Sequence, residues 1–372
     1  MNYKLKEVVA FKPGYAFKKG EMSDSGYPLI KIKSIKKNRV VIDPESCIIK
    51  DAANMSYAIH NGDILMALTG DPVTKGSIET WAGRTGLYEN DEISFLNQRV
   101  CKIIANEEKI DSKYLLYWLI RPEKTFEIAS LYHGSANQAN ISHKDVGELS
   151  IELPDLQTQK RVSTILSNID KKIFINNYTN DNLYSIGETL FKEKIDSNSY
   201  AEKRKLGSFF PVVTGKKDAN AATEDGKYPF FTCSRQISRI NDYTFDSSAI
   251  LLAGNGDFNV KFYRGKFDAY QRTYVLIPED KLLLGYLYWA ISIKLSDITS
   301  NFRGSVIRFI TKGNIEDYEV AYLPDPRIIN QFQSYLEMIE ANNLENERLT
   351  KLRDTLLPEL LNGKIDISNI DI

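Results

Sequence analysis

The chain has 372 residues, enough for two or three domains; 26% are charged, 42% are hydrophobic and the formal net charge is −1, the balance of an ordinary soluble globular protein. No apolar run approaches the ~20 residues that span a bilayer, and the first residues, MNYKLKEVVAFKPGYAF, lack a signal-peptide core, so a cytoplasmic protein with no membrane partner is expected. Cys47, Cys101 and Cys233 are odd in number and unpaired in spacing, which excludes a disulfide framework and a zinc motif.

Residues 1–154 read as a first mixed domain. The first 40 residues hold ten basic side chains (Lys4, Lys6, Lys12, Lys18, Lys19, Lys31, Lys33, Lys36, Lys37, Arg39) against Glu7, Glu21 and Asp24, a local charge of +7 hidden by the whole-chain sum. Segments such as KIKSIKKNRVVID predict short strands and loops. A short apolar helix is predicted around Tyr114 to Ile120, followed by a polar loop with Gly134-Ser135 and a strand ending at Leu153-Pro154.

After that Leu-Pro the apolar period changes from two to three or four. Val162, Ile165, Leu166, Ile169 and Ile173 share a helical face, and Leu183, Ile186 and Leu190 continue an a/d-type stripe. Residues 155–197 are therefore a helical spacer, about 60 Å long if continuous. Asn176, Asn177, Asn180 and Asn182 are poor helix formers and predict a kink or a break.

Residues 198–324 repeat the first domain at a period near 170. Tyr27-Pro28, ILMALTGD, Gln98-Arg99, Tyr117-Trp118, Gly134-Ser135 and Leu153-Pro154 return in the same order as Tyr228-Pro229, ILLAGNGD, Gln271-Arg272, Tyr288-Trp289, Gly304-Ser305 and Leu323-Pro324. Residues 325–372 form a second helical segment: Asp325-Pro326 is a cap followed by a first-turn proline, Phe332, Tyr335, Leu336 and Ile339 share a face, Leu349, Leu352 and Leu356 extend it, and Asn362-Gly363 stops it. Counted between equivalent stripes, the two segments differ by about one turn. Neither stripe can stay in water, so the two segments are expected to pair antiparallel, holding the mixed domains apart around a pseudo-two-fold axis; packing of each helix on its own domain alone is the competing arrangement.

This plan resembles the specificity subunit of type I restriction–modification systems. The junction LPDLQTQKRVSTILSNIDKKI is similar to that family's central region, usually Pro-Pro-Leu-Glu-Glu-Gln-Lys-Arg-Ile; Pro154, Leu156, Gln159, Lys160 and Arg161 match it, whereas Asp155 replaces the second proline. LPDPRIINQFQSYL keeps Leu323 and Pro324 without the Gln-Lys-Arg, and LRDTLLPELLNGKIDI resembles the family's distal helix ending. The resemblance implies an α+β chain with two mixed α/β target recognition domains in pseudo-two-fold tandem, separated by two long antiparallel, coiled-coil-like helical segments. It implies that each domain reads half of an asymmetric bipartite site on double-stranded DNA, with the helices setting the spacing and docking two methyltransferase subunits. Restriction subunits would complete the complex, and S-adenosylmethionine, ATP and magnesium would sit on the partners.

The chain itself carries no Walker loop, no methionine-cofactor loop and no Asn/Asp-Pro-Pro-aromatic tetrad, and His60, His133 and His143 lack metal spacing. Gly254-Asn255-Gly256, set against Thr69-Gly70-Asp71, reads as a turn. A non-catalytic DNA-recognition subunit with no cofactor or metal of its own is expected; a protein-interaction scaffold with two binding domains spaced by a coiled coil, or an enzyme with an unrecognised site, are the alternatives. Phosphate contacts are expected from Lys18, Lys19, Lys36, Lys37 and Arg39, and from Lys216, Lys217, Arg235, Arg239, Arg303 and Arg308. Amide or guanidinium forks for base edges are expected from Asn137, Gln138 and Asn140 and from Arg303 and Arg308. Gln98-Arg99 and Gln271-Arg272, shared by both copies, are expected to support the fold, and the Tyr-Trp pairs to lie in cores.

Overall fold

A computed structural model of the chain describes residues 1–36, 38–133, 138–300, 302 and 308–367. The chain divides into two compact units, Met1–Lys172 with Arg348–Ile372, and Ile173–Glu347. The units do not end at the boundaries expected from sequence, because the helical segments are not independent spacers. Each unit contains one mixed domain and half of each long helix.

In the first unit one five-stranded sheet runs in the order Val9–Pro13, Val100–Ala105, Ile64–Ala67, Thr85–Leu87, Asn38–Arg39. A second runs Met22–Ser23, Cys47–Ile48, Tyr27–Ile30, Ser94–Leu96, Ala58–Ile59. The apolar helix spans Ser112–Leu119, capped by Asp111, whose carboxylate accepts from Tyr114 N at 2.9 Å. Helices Pro122–Ser130 and His143–Gly147 follow; neither was anticipated from the sequence. The strand before Leu-Pro, Ser150–Glu152, pairs antiparallel with Asn2–Lys4.

The second unit repeats this with one six-stranded sheet: Val212–Thr214, Thr273–Leu276, Phe245–Ala253, Val260–Ala269, Tyr228–Phe231, Ser238–Ile240. Its apolar helix spans Leu284–Ile293, and Glu319–Tyr322 pairs with Glu202–Lys205 as the counterpart pair does in the first unit. Tyr117-Trp118 and Tyr288-Trp289 are buried, as expected.

Both long helices are 36 residues, Leu156–Phe191 and Pro326–Leu361; the first continues through a five-residue π turn, Lys192–Asp196. The expected one-turn difference between the helices is therefore absent from their α-helical lengths. Asp155 and Asp325 cap them, accepting from Thr158 N and Arg327 N at 2.9 Å each, and Gly363 ends the second at φ 65°. Within each unit the two helices run antiparallel and share the core of the mixed domain. Val162 and Leu166 pack with Leu357 and Leu360 in the first unit; Leu183 and Phe191 pack with Phe332, Leu336 and Ile339 in the second. Each such side chain contributes about 1.5–3 kcal/mol on full burial. The stripes are imperfect: Ile186 and Leu352 point into solvent.

The asparagines do not break the first helix. In the second unit Asn176 and Asn180, 2% and 5% exposed, face the partner helix. Asn176 donates to Glu345 and Asn346 (2.7 and 2.9 Å), Asn180 donates to Asn343 (3.0 Å) and accepts from Asn342 (2.8 Å), and Asn346 donates to Asn177 (2.9 Å). A low intrinsic helix propensity, costing about 0.7 kcal/mol per residue at most, is overridden because these amides satisfy one another across the seam.

Candidate nucleic-acid interface

The geometry repeats most closely where three segments meet at one end of the main sheet. The first is a tight turn entering the second strand of the sheet, Val100–Ala105 or Thr273–Leu276. Val100 N donates to Asn97 O (2.9 Å) across Gln98-Arg99, and Thr273 N donates to Tyr270 O (2.8 Å) across Gln271-Arg272. The second segment follows the neighbouring strand: Leu68 N donates to Arg99 O (2.9 Å), and Gly254 N to Arg272 O (2.8 Å). The third leaves the glycine loop: Ile141 N donates to Leu68 O (2.8 Å), and Ile310 N to Gly254 O (3.0 Å).

These bonds set Leu68 opposite Gly254, so Gly254-Asn255-Gly256 matches Leu68-Thr69-Gly70, one residue earlier than the sequence pairing above. The turn reading holds, with Gly256 at φ 70°. A fourth strand locks the junction. Gly14 N donates to Val100 O (3.0 Å) and Gly215 N to Thr273 O (3.2 Å). A Cβ on Gly14 would lie 2.1 Å from Asn97 O, and one on Gly215 would lie 1.8 Å from Ala269 O, so the close backbone approach requires glycine in both copies. These two glycines were missed in the sequence, where Gly14 stands four residues ahead of Lys18 but Gly215 immediately ahead of Lys216, so spacing alone does not pair them.

Several expected contact residues gather here. Lys216 follows Gly215 and is exposed, and the carbonyl of half-buried Lys217 accepts from Gln271 N (2.9 Å). Arg308 is exposed, its carbonyl accepts from Gly256 N (2.9 Å), and its guanidinium lies 4.7 Å from the centroid of the Phe302 ring. Arg235 reaches Asp257 beside the same turn, with Nε and Nη2 donating at 2.7 and 3.3 Å. That bond holds the guanidinium charged beyond its ordinary range and keeps the Asp257 carboxyl below its own. Arg235 is thus already partnered, unlike the open cation expected. Half-buried Lys261 donates to Ser234 O (2.7 Å) and to Asn259, and burial lowers its pKa.

In the first unit exposed Lys18 and Lys19 follow the Gly14 segment. Gln138 is exposed at the exit of the glycine loop. Asn140 is not an open fork: its Oδ1 accepts from Thr69 Oγ1 (2.9 Å) and Arg99 Nη1 (3.1 Å). Lys36, Arg39 and Arg239 are exposed but do not join the junction. Arg39 lies on the edge strand Asn38–Arg39 with Lys36 just ahead of it, and Arg239 lies on the edge strand Ser238–Ile240, each at the opposite side of its sheet from the strand the turn enters. Lys37, Asn137 and Arg303, with Gly134, Ser135, Gly304 and Ser305, lie outside the described residues. Gln98, Arg99, Gln271 and Arg272 support the turn through their backbone, and their side chains are exposed; the Arg99 guanidinium alone of the four also has a described side-chain hydrogen bond, to Asn140.

The junction motif has a separate task. Gln159 is 1% exposed; its Oε1 accepts from Asp111 N (3.0 Å) and its Nε2 donates to Lys109 O and Pro154 O (3.2 and 2.9 Å). Arg161 donates twice to Ile367 O (3.2 and 2.8 Å). Lys160 stays exposed and lines a groove of about 420 Å³ with Leu156, Gln157, Arg161 and Thr164. Among the described residues no group of three or more His, Cys, Asp or Glu is placed to hold a metal, and no helix is long and apolar enough to cross a membrane.

The family profile of the type I restriction modification DNA specificity domain matches residues 1–184 and 198–353, one match over each copy of the repeat. The chain belongs to this specificity family. It is 44% identical over 168 residues to the type I restriction enzyme EcoDI specificity subunit of Escherichia coli, covering 43% of this chain and 37% of that one. It is 32% identical over 174 residues to the MjaVIII specificity subunit of Methanocaldococcus jannaschii, covering 46% and 40%. These matches thus span well under half of either relative. In fold it is similar over nearly its whole length to the crystal structure of a type I restriction–modification S subunit from M. genitalium, with TM-score 0.62 at 18% identity, covering 97% of this chain and 95% of that one. Tandem specificity domains joined by long helices are therefore both the family's plan and the observed one.

Proposed function

We propose that this chain is the DNA-reading, non-catalytic subunit of a type I restriction–modification complex. Each mixed domain reads one half of an asymmetric bipartite site on duplex DNA. The observation that carries this is the repeated three-segment junction: one backbone frame, built twice by matching hydrogen bonds, with different exposed side chains around it. A frame held constant while its decoration changes suits two half-sites of unrelated sequence. Lys216, Lys217, Arg308 and, in the other unit, Lys18 and Lys19 supply charge for phosphates.

The long helices are the docking surface for two methyltransferase subunits and set the number of unread base pairs between the halves. Their exposed Phe174, Ile175 and Tyr178, with Phe174 and Tyr178 rings stacked at 6.5 Å, suit a protein partner better than water. S-adenosylmethionine, ATP and magnesium belong to the methyltransferase and restriction partners. The test is a map of methylated adenines in cells with and without this chain. Loss of methylation at one asymmetric two-part sequence is expected; an unchanged map overturns the proposal.

A further inference from the structure

Gln98-Arg99 and Gln271-Arg272 occupy the corner positions of the same turn in the two units. The turn acts on the fold through its backbone, by the paired bonds from Val100 and Thr273 and by the Arg99 and Arg272 carbonyls. No corner residue has positive φ, so the conformation demands no particular side chain. All four side chains are exposed, so core packing does not demand them either. Around them the units differ. Hydrogen-bond register sets Tyr15 against Lys216, Thr69 against Asn255, Asn140 against Phe309 and Ala139 against Arg308. Two exposed polar residues kept the same in the middle of altered neighbours point to a ligand feature that is the same at both sites.

On duplex DNA that feature is the phosphodiester, whose charge and geometry do not depend on base sequence. We infer that Gln98-Arg99 and Gln271-Arg272 are a repeated phosphate clamp, gripping the DNA backbone alike in both half-sites while the unlike side chains beside them face the bases. A guanidinium supplies two parallel donors to one phosphate, and the neighbouring glutamine amide supplies a third. Arg99 is already oriented, since Nη1 is held by Asn140, and among the described residues its other donors have no hydrogen-bond partner. Arg272 has no side-chain partner among the described residues.

This inference rests on the DNA-reading proposal, and one experiment separates the two. The full-length chain is equilibrated with a random-sequence duplex library, and bulk affinity, its salt dependence and the enriched sequence are measured for the wild type, Arg99→Ala and Arg272→Ala. Each variant is expected to bind about ten-fold more weakly, with the slope of log affinity on log salt reduced by about 0.9 and the enriched sequence unchanged. Arg99→Lys and Arg272→Lys should recover the slope, which a purely structural role would not predict; these variants also serve if an alanine chain fails to fold. Unchanged affinity and slope, or a change confined to one position of one half-site, overturns the clamp. A wild-type chain that enriches no sequence overturns the DNA-reading proposal instead.

Discussion

In the first unit the segment leaving the glycine loop pairs by backbone, Asn140 against Thr69, and is tied by side chains as well: Thr69 and Arg99 both donate to Asn140. In the second unit the same segment meets Asn255 through a backbone bridge to Phe309, and an Arg235–Asp257 pair closes the neighbouring turn. The apolar helices differ in the same way. Tyr114 fills the first, whereas its counterpart Gly285 lets the second long helix approach so closely that a Cβ would lie 2.6 Å from the Phe332 backbone. Tyr117 donates to Asp170 (2.7 Å), while its counterpart Tyr288 packs against Tyr184, ring centroids 6.2 Å apart. The frame tolerates wholesale exchange of what surrounds it, provided the backbone bonds and the two junction glycines stay.

The hardest test of that common frame is Gly215→Ala alongside Gly14→Ala. Each should cost about 4 kcal/mol in chemical denaturation, since the methyl group would meet backbone oxygen that has nowhere to go; tolerance in one unit alone would show that the frames are not equivalent. Arg353→Met should cost about 3 kcal/mol, because Arg353 donates to Asp170 at 2.8 Å from a largely buried position. Combining it with Asp170→Asn should return part of that loss.

Burial pushes the Tyr114 hydroxyl up to about 12. Folding thus favours its neutral form, and this stability is intact below the ordinary tyrosine value near 10 and lost as pH rises from there toward about 12. Tyr114→Phe should therefore remove about 2 kcal/mol of the alkaline destabilisation between those limits; identical wild-type and variant profiles would refute the assignment. Smallest of all, Thr69→Val should cost about 1 kcal/mol and loosen Asn140. Asn255→Val in the second unit should be milder, because there the described tie is backbone alone.

The repeat, the Leu-Pro boundaries, the aspartate caps and the apolar helices were legible because each rests on local chemistry: a period, a cap, a proline. The asparagine seam was misread because its helicity depends on amides more than 160 residues away. Gln98-Arg99 was assigned to fold support, which holds for the Arg99 carbonyl and for the guanidinium nitrogen on Asn140, while the rest of both side chains stays exposed; sequence does not separate these roles. The Arg235 guanidinium and the Asn140 amide oxygen looked open because their partners, Asp257 and Thr69, are brought close only by the fold. The unit boundaries were placed at the ends of the helices because sequence shows where a helix begins and not which core it shares.

The asparagine seam also bears on how this sequence can drift. Asn180 both gives to Asn343 and takes from Asn342, so changing either partner leaves a polar atom of the buried Asn180 unmet, although Asn343 itself is exposed. Single substitutions there are disfavoured, whereas joint replacement by apolar residues is nearly neutral. Change at positions 176 and 180 should therefore travel with change at 342, 343 and 346, leaving a correlated trace among descendants of this chain even where neither helix looks preserved on its own.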